Sequence, residues 1–278
     1  MSANANEITP DAAAATSATL RHCLERQRRA YLADPVPDYD SRRRDLLALK
    51  RLVSENTEAI IEAINADYGN RSRHETQFAD LLPVTDGIND ILGHLKRWMK
   101  PQRRHVDALL YPGGRNRVYP QPLGVVGIIV PWNFPMYLSV LPLAYAFAAG
   151  NRAMVKMSEN SIALTRLLIE LSPKYFPPEK LSWFEETGGV GIEFSQLPFD
   201  LIMFTGSGQT GRSVTSTRWG TPTWTWIRCA CPAWPACSHS GSPRSTRPHG
   251  PVLTPRRPRR RRAHRAIPGS CRRTMWLG

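Results

Sequence analysis

PLGVVGIIVPWNFP, residues 122–135, is the stretch whose reading decides the fold. Val125–Val130 is a short, continuous apolar run rich in β-branched residues, the composition of a strand covered on both faces. Pro131 stops it. Pro135 stands where proline opens a helix, since a first turn leaves its N–H groups unpaired in any case. Gly150-Asn151 closes that helix with a left-handed cap signal.

Working outward, Ala153–Lys156 reads as a strand and Ser161–Leu171 as a helix. Leu181–Phe184 and Leu201–Phe204 are further strands, and a helix is expected from Ser207. Strand and helix alternate from 123 to 214, which predicts an α/β fold with a Rossmann-like, doubly wound parallel sheet. Upstream, apolar residues at three-to-four spacing predict helices over 12–33, 40–67 and 74–100, with Pro83 kinking or dividing the third. Val106–Tyr111 and Asn116–Pro122, joined by Pro112-Gly113-Gly114, suggest a hairpin. The expected organisation is 1–104 helical, 105–122 hairpin, 123–214 nucleotide-binding and 215–278 a basic tail.

Charge separates that tail from the rest. The chain has 278 residues and a formal net charge of +14. Residues 215–278 contain 13 Arg and no Lys, Asp or Glu, so residues 1–214 carry a net charge of only +1. The body's charge therefore gives no reason to expect a polyanion partner. Cys23 is the one cysteine of the body, which excludes a disulfide within it and fits a reducing, cytoplasmic setting. The N-terminus lacks the basic and apolar regions of a signal peptide. Val118–Asn151 has no charged side chain, yet its five prolines and the polar Trp132-Asn133 break argue for buried strand, turn and helix rather than a membrane span.

Three clusters fall at expected carboxyl ends of strands, where open α/β sheets bind ligands. Asn133, in VPWNFP, has its backbone restrained by two prolines; its amide suits a developing oxyanion, or it is simply a structural turn. Lys156 and Glu159, in VKMSEN, could meet ribose hydroxyls or form a surface ion pair. FTGSGQTG, residues 204–211, gives a small-residue turn before a helix, where backbone can approach a phosphate. It is not the G-x-G-x-x-G fingerprint with its following acid.

Taken together, PLGVVGIIVPWNFP, AAGNRAMVKMSEN and FDLIMFTGSGQTGRSV resemble the aldehyde dehydrogenase superfamily over roughly residues 20–214. HETQFADLLPVTDGINDILGHLKRWMKP and YPGGRNRVYPQPLG are most similar to its branch of fatty-aldehyde and coniferyl-aldehyde dehydrogenases. The resemblance implies oxidation of a small-molecule aldehyde to the carboxylic acid with NAD or NADP, in a homodimer; no membrane partner and no metal site are expected. It assigns Asn133 to the oxyanion hole and Lys156 and Glu159 to the adenosine ribose. Gly206, Ser207 and Gly211 go to the turn beneath the pyrophosphate, and Pro131 and Trp132 to the cofactor cleft. Met157 departs from the family's proline.

The family reaction also needs a cysteine nucleophile and a glutamate base from later segments. No glutamate follows Glu193, and the tail cysteines stand in RCACPAWPACSH and GSCRRT, unlike the family nucleophile. Of the 64 residues from Thr215 onward, 55 have codons with G or C as middle base, against 27 in the preceding 64. A one-nucleotide frame slip in a G+C-rich gene produces that composition, so the tail is expected to be out-of-frame and unstructured. The competing readings are an arginine-rich arm binding nucleic acid nonspecifically and a zinc site of Cys229, Cys231, Cys237 and His239, whose spacing fits no usual ligand pair.

Overall fold

Val125–Ile129 forms β3, the middle strand of a five-stranded sheet in a computed structural model that describes residues 10–216 and 224–229. Every residue of β3 is buried. The sheet order is β5–β4–β3–β6–β7, all neighbours parallel, with β4 Arg152–Lys156, β5 Leu181–Phe184, β6 Leu201–Gly206 and β7 Trp224–Cys229. The α/β, Rossmann-like expectation therefore holds, in the parallel form that needs helices on both faces.

The two faces are assembled from different parts of the chain. Along β3 the side-chain period of two sends Val126 and Ile128 to one core and Val125 and Ile129 to the other. The first core packs α2 (Tyr39–Glu55), α3 (Thr57–Tyr68), α5 (Leu82–Trp98), α6 (Pro135–Ala148) and α7 (Ile162–Leu171). The second packs α1 (Pro10–Ala33), α8 (Val190–Gln196) and α9 (Gly208–Ser216). A side chain at Gly127 would point into this second core, where the Phe199 ring stands 2.7 Å from an ideal Cβ position. Residue 127 is glycine because the phenyl ring has taken its space.

Local causes explain the element ends. Asp38 caps α2 by accepting the Ser41 N–H at 2.8 Å. The expected single helix over 40–67 is divided at Asn56, whose backbone leaves the helical region (φ −119°, ψ 23°). Its side-chain amide donates to the carbonyl of Leu52 and to the Tyr175 hydroxyl, fixing the break. Gly150, after α6, has φ +87°, and a Cβ there would also meet the Arg42 guanidinium, so glycine is required twice over.

The stretch expected as one helix over 74–100 changes character at Pro83, which stands in the first turn of α5 (Leu82–Trp98). A short turn α4 (Arg73–Glu75) and a π-helical turn over Thr76–Leu81 lead directly into α5. The wider turn bonds the Leu82 N–H to the carbonyl of Gln77, which lets Pro83 enter without an N–H of its own.

Two further expectations are corrected. The hairpin pairs β1 (Gln102–Arg104) antiparallel with β2 (Asn116–Val118), so 106–111 belongs to the connection rather than to a strand. Asp107 accepts the N–H groups of Leu109 and Leu110, curling that segment into a turn. Beyond residue 215, where no strand was expected, Trp224–Cys229 pairs with β6 from Leu201↔Trp224 to Gly206↔Cys229. The segment WTWIRC is rich in residues that favour strands, and β6 offers it an edge of unpaired backbone groups. The remaining tail expectations, including the basic arm and the zinc ligands other than Cys229, lie outside the described residues.

Candidate functional site

From β3 the chain steps outward to β4 and β5, then returns to β6 on the other side of β3. The helix after β3 lies in the first core and the helix after β6 in the second. The connections leaving these neighbouring strands therefore part to opposite faces, opening a crevice at their carboxyl ends. Pro131–Pro135, Lys156–Glu159 and Thr205–Gly211 all leave strands of this edge.

Asn133 is held by its main chain. Arg71 Nη1 donates to the Asn133 carbonyl oxygen at 2.8 Å, and its Nη2 bonds Asp80 Oδ2 at 3.0 Å. Asp80 Oδ1 accepts the Tyr137 N–H at 2.9 Å, in the first turn of α6. The Arg71 guanidinium also lies over the Tyr68 and Phe134 rings, 5.4 and 5.2 Å from their centroids. One buried ion pair thus fastens both the turn and the helix that follows it. Burial pushes the Asp80 carboxyl up to about 6, while the Tyr137 N–H and Arg71 pull it down. The Asn133 side-chain amide has no hydrogen-bond partner among the described residues. Pro131 is half-buried beside it, and Trp132 is 56 % exposed.

Lys156 ends β4 with its side chain buried, and its partner is not Glu159. Its Nζ meets Glu186 Oε2 at 2.5 Å. Glu186 stands just beyond β5 and also accepts the Gly191 N–H at 2.9 Å. Glu159 is exposed and accepts from the Ser158 hydroxyl at 3.3 Å. Met157 is fully buried in the first core, and its N–H donates to the Phe184 carbonyl. The departure from proline at 157 thus supplies an extra sheet hydrogen bond.

Gly206 ends β6 where a Cβ would stand 2.5 Å from the Phe204 ring. Ser207 then caps α9: its hydroxyl accepts the Thr210 N–H at 3.2 Å and meets the Thr210 hydroxyl at 2.9 Å. Gly211 is buried, and its N–H bonds the Ser207 carbonyl. A short glycine-serine turn thus leads from β6 into the start of α9, and helix starts are suited to anions.

Sequence reasoning missed Arg71, Asp80 and Glu186. Asp80 had a signal: with Thr76, Val84 and Ile88 it lies at four-residue intervals on the buried stripe of its helix. Glu186 also had one, since EETGG follows a strand and precedes a helix as FTGSG does. Arg71 had none beyond its place after a helix cap. Among the described residues no cluster of side chains suits a metal, and no helix is long and apolar enough to cross a membrane.

The profile of the Aldehyde dehydrogenase family matches residues 2–223. The chain belongs to the aldehyde dehydrogenase family. Similar proteins include the probable coniferyl aldehyde dehydrogenase of Pseudomonas aeruginosa, 47 % identical over 195 residues, 70 % of this chain and 41 % of that one. The coniferyl aldehyde dehydrogenase of Pseudomonas sp. strain HR199 is 41 % identical over 187 residues, covering 67 % and 38 %. Among solved structures, the substrate-bound AldH of Staphylococcus aureus superposes with a TM-score of 0.70 at 25 % identity, over 75 % of this chain and 45 % of that one. The chain thus spans less than half the length of these aldehyde dehydrogenases.

Proposed function

We propose that these residues form the nucleotide-binding part of an NAD(P)-dependent aldehyde dehydrogenase, acting on an aldehyde of the coniferyl type. The observation that carries this reading is the convergence of Asn133, Lys156 and Ser207 on one edge of the sheet, at its topological switch point. The bound dinucleotide would supply the hydride acceptor. The residues fit such a group: a glycine turn where Phe204 leaves no room for a side chain, a capped helix start, and a buried lysine with acidic neighbours.

Each residue has a task within this proposal. Gly206, Ser207 and Gly211 let backbone N–H groups face the pyrophosphate. Lys156 and Glu159 offer a donor and an acceptor to ribose hydroxyls, and Pro131 and Trp132 wall the cleft. Asn133 would donate from its free amide to the oxyanion formed when a nucleophile adds to the aldehyde. That nucleophile and the water-activating glutamate have no counterpart among the 278 residues. The chain as written therefore binds nucleotide without completing the reaction. A homodimer through the hairpin is part of the same reading, supported by exposed Leu109, Leu110 and Tyr111 on its connection. A cytoplasmic location is part of the same reading, and Cys23, the cysteine among the described side chains, is buried and unbridged.

Calorimetric titration of the 278-residue chain with NAD and NADP, beside an assay for reduced nicotinamide with coniferyl aldehyde, tests the proposal. Saturable nucleotide binding without turnover is expected. Binding of neither nucleotide would refute the cofactor assignment, and turnover would refute the claim of incompleteness.

A further inference from the structure

We propose that Glu186 sets the dinucleotide preference of this crevice, admitting a free 2′-hydroxyl and rejecting a 2′-phosphate. The inference rests on the cofactor assignment above and concerns a residue outside the expected ribose pair. At the carboxyl end of β4 the buried cation is Lys156, and Glu186 already holds its ammonium at 2.5 Å. The Gly191 N–H donates to the same oxygen, Oε2, at 2.9 Å, and with the lysine it fixes the Glu186 side chain, which is 13 % exposed.

The neighbouring charges are matched in the same way. Arg166, on α7, bonds Glu185 at 3.0 Å, so consecutive glutamates after β5 each occupy a cation. With Glu159 the edge carries three carboxylates against two cations. A 2′-phosphate brings up to two more negative charges and finds no uncommitted cation in this set. To bind, it would have to displace Glu186 from Lys156 and leave a carboxylate unpaired in a largely buried place, which is unfavourable. A ribose 2′-hydroxyl makes no such demand. It accepts from an ammonium and donates to a carboxylate, so it can join a lysine–glutamate pair without separating it.

The test is calorimetric titration of the full chain, and of Glu186→Gln and Glu159→Gln, with NAD and NADP. AMP and adenosine 2′,5′-bisphosphate serve as smaller probes of the same difference. The parent chain is expected to prefer NAD. Glu186→Gln keeps an acceptor for Gly191 but frees the lysine, and should narrow the NAD-to-NADP affinity ratio by about tenfold or more. AMP affinity should stay within about threefold. An unchanged ratio in Glu186→Gln, or a shift confined to Glu159→Gln, overturns the proposal. Should Glu186→Gln not fold, the parent chain in rising salt decides: charge-based rejection weakens as the ratio narrows, and a ratio independent of salt overturns it. Binding of neither NAD nor AMP refutes the cofactor assignment itself, a result distinct from equal binding of NAD and NADP, which refutes only the role of Glu186.

Discussion

Arg71 and Asn133 lie 62 positions apart, and the guanidinium of one holds the carbonyl oxygen of the other at 2.8 Å. The contact uses the Asn133 main chain and not its side-chain amide, to which the proposed function gives the oxyanion. Two variants should separate these functions. Asn133→Ala is expected to change unfolding stability by less than about 0.5 kcal/mol, because no partner within the described structure loses a bond. A larger loss in urea unfolding would show that the amide is structural.

Arg71→Met should behave oppositely. It strands the fully buried Asp80 carboxylate and frees the turn, at a cost of about 3–5 kcal/mol near neutral pH. Replacing both partners with apolar residues, as in Arg71→Met with Asp80→Leu, should recover much of that loss. Urea midpoints of the two variants measure it, and equal losses would contradict a coupled pair.

Asp80 gives the chain a particular dependence on pH. Its folded value of about 6 lies above the ordinary 3.8, so the folded chain binds a proton more readily than the unfolded one. The stability linked to this group is fully present below the unfolded value and is lost as pH rises through about 6. The span is on the order of 3 kcal/mol. Asp80→Asn should flatten stability against pH between these limits, even if it lowers stability near neutrality. A parent slope that persists in Asp80→Asn would assign it to other groups.

Gly127→Ala drives a methyl group into the Phe199 ring and should cost about 1–3 kcal/mol. Phe199→Leu in the same chain should return part of it by vacating the space. If Gly127→Ala alone is neutral in thermal unfolding, the second core packs less tightly around Phe199 than described.

Much of this was legible in the sequence because strand ends are marked by their chemistry. Val125–Val130 could hardly be anything but a buried strand, and the residues following it, β4 and β6 had to share an edge once the strands were parallel. What remained hidden depended on partners far along the chain. Lys156 reads naturally with Glu159, three positions away, whereas its partner stands beyond the next strand. Asp80 breaks the apolar pattern of its helix, and only partners outside that helix, the Tyr137 N–H and Arg71, explain how a carboxylate is tolerated there. The division at Asn56 needed Tyr175, over a hundred residues later, to hold the turned amide. Trp224–Cys229 escaped notice because composition was averaged over a long tail, which conceals six residues with strand preferences of their own.

The pairing of β6 with Trp224–Cys229 reaches past this molecule's own stability. A ladder of peptide groups reads length and backbone shape, and it is nearly blind to which side chains pass by. The outer margin of β6 is therefore a permissive seam, one that pairs with a segment because it can lie extended rather than because of its side chains. Residues on the carboxyl edge of the same strand enjoy no such latitude, since there a single methyl group beyond glycine collides with Phe204. Within one strand, the hydrogen-bonding edge tolerates many neighbours, while the side chains of Leu201, Ile202 and Phe204 are committed to the cores and the tip is held to glycine.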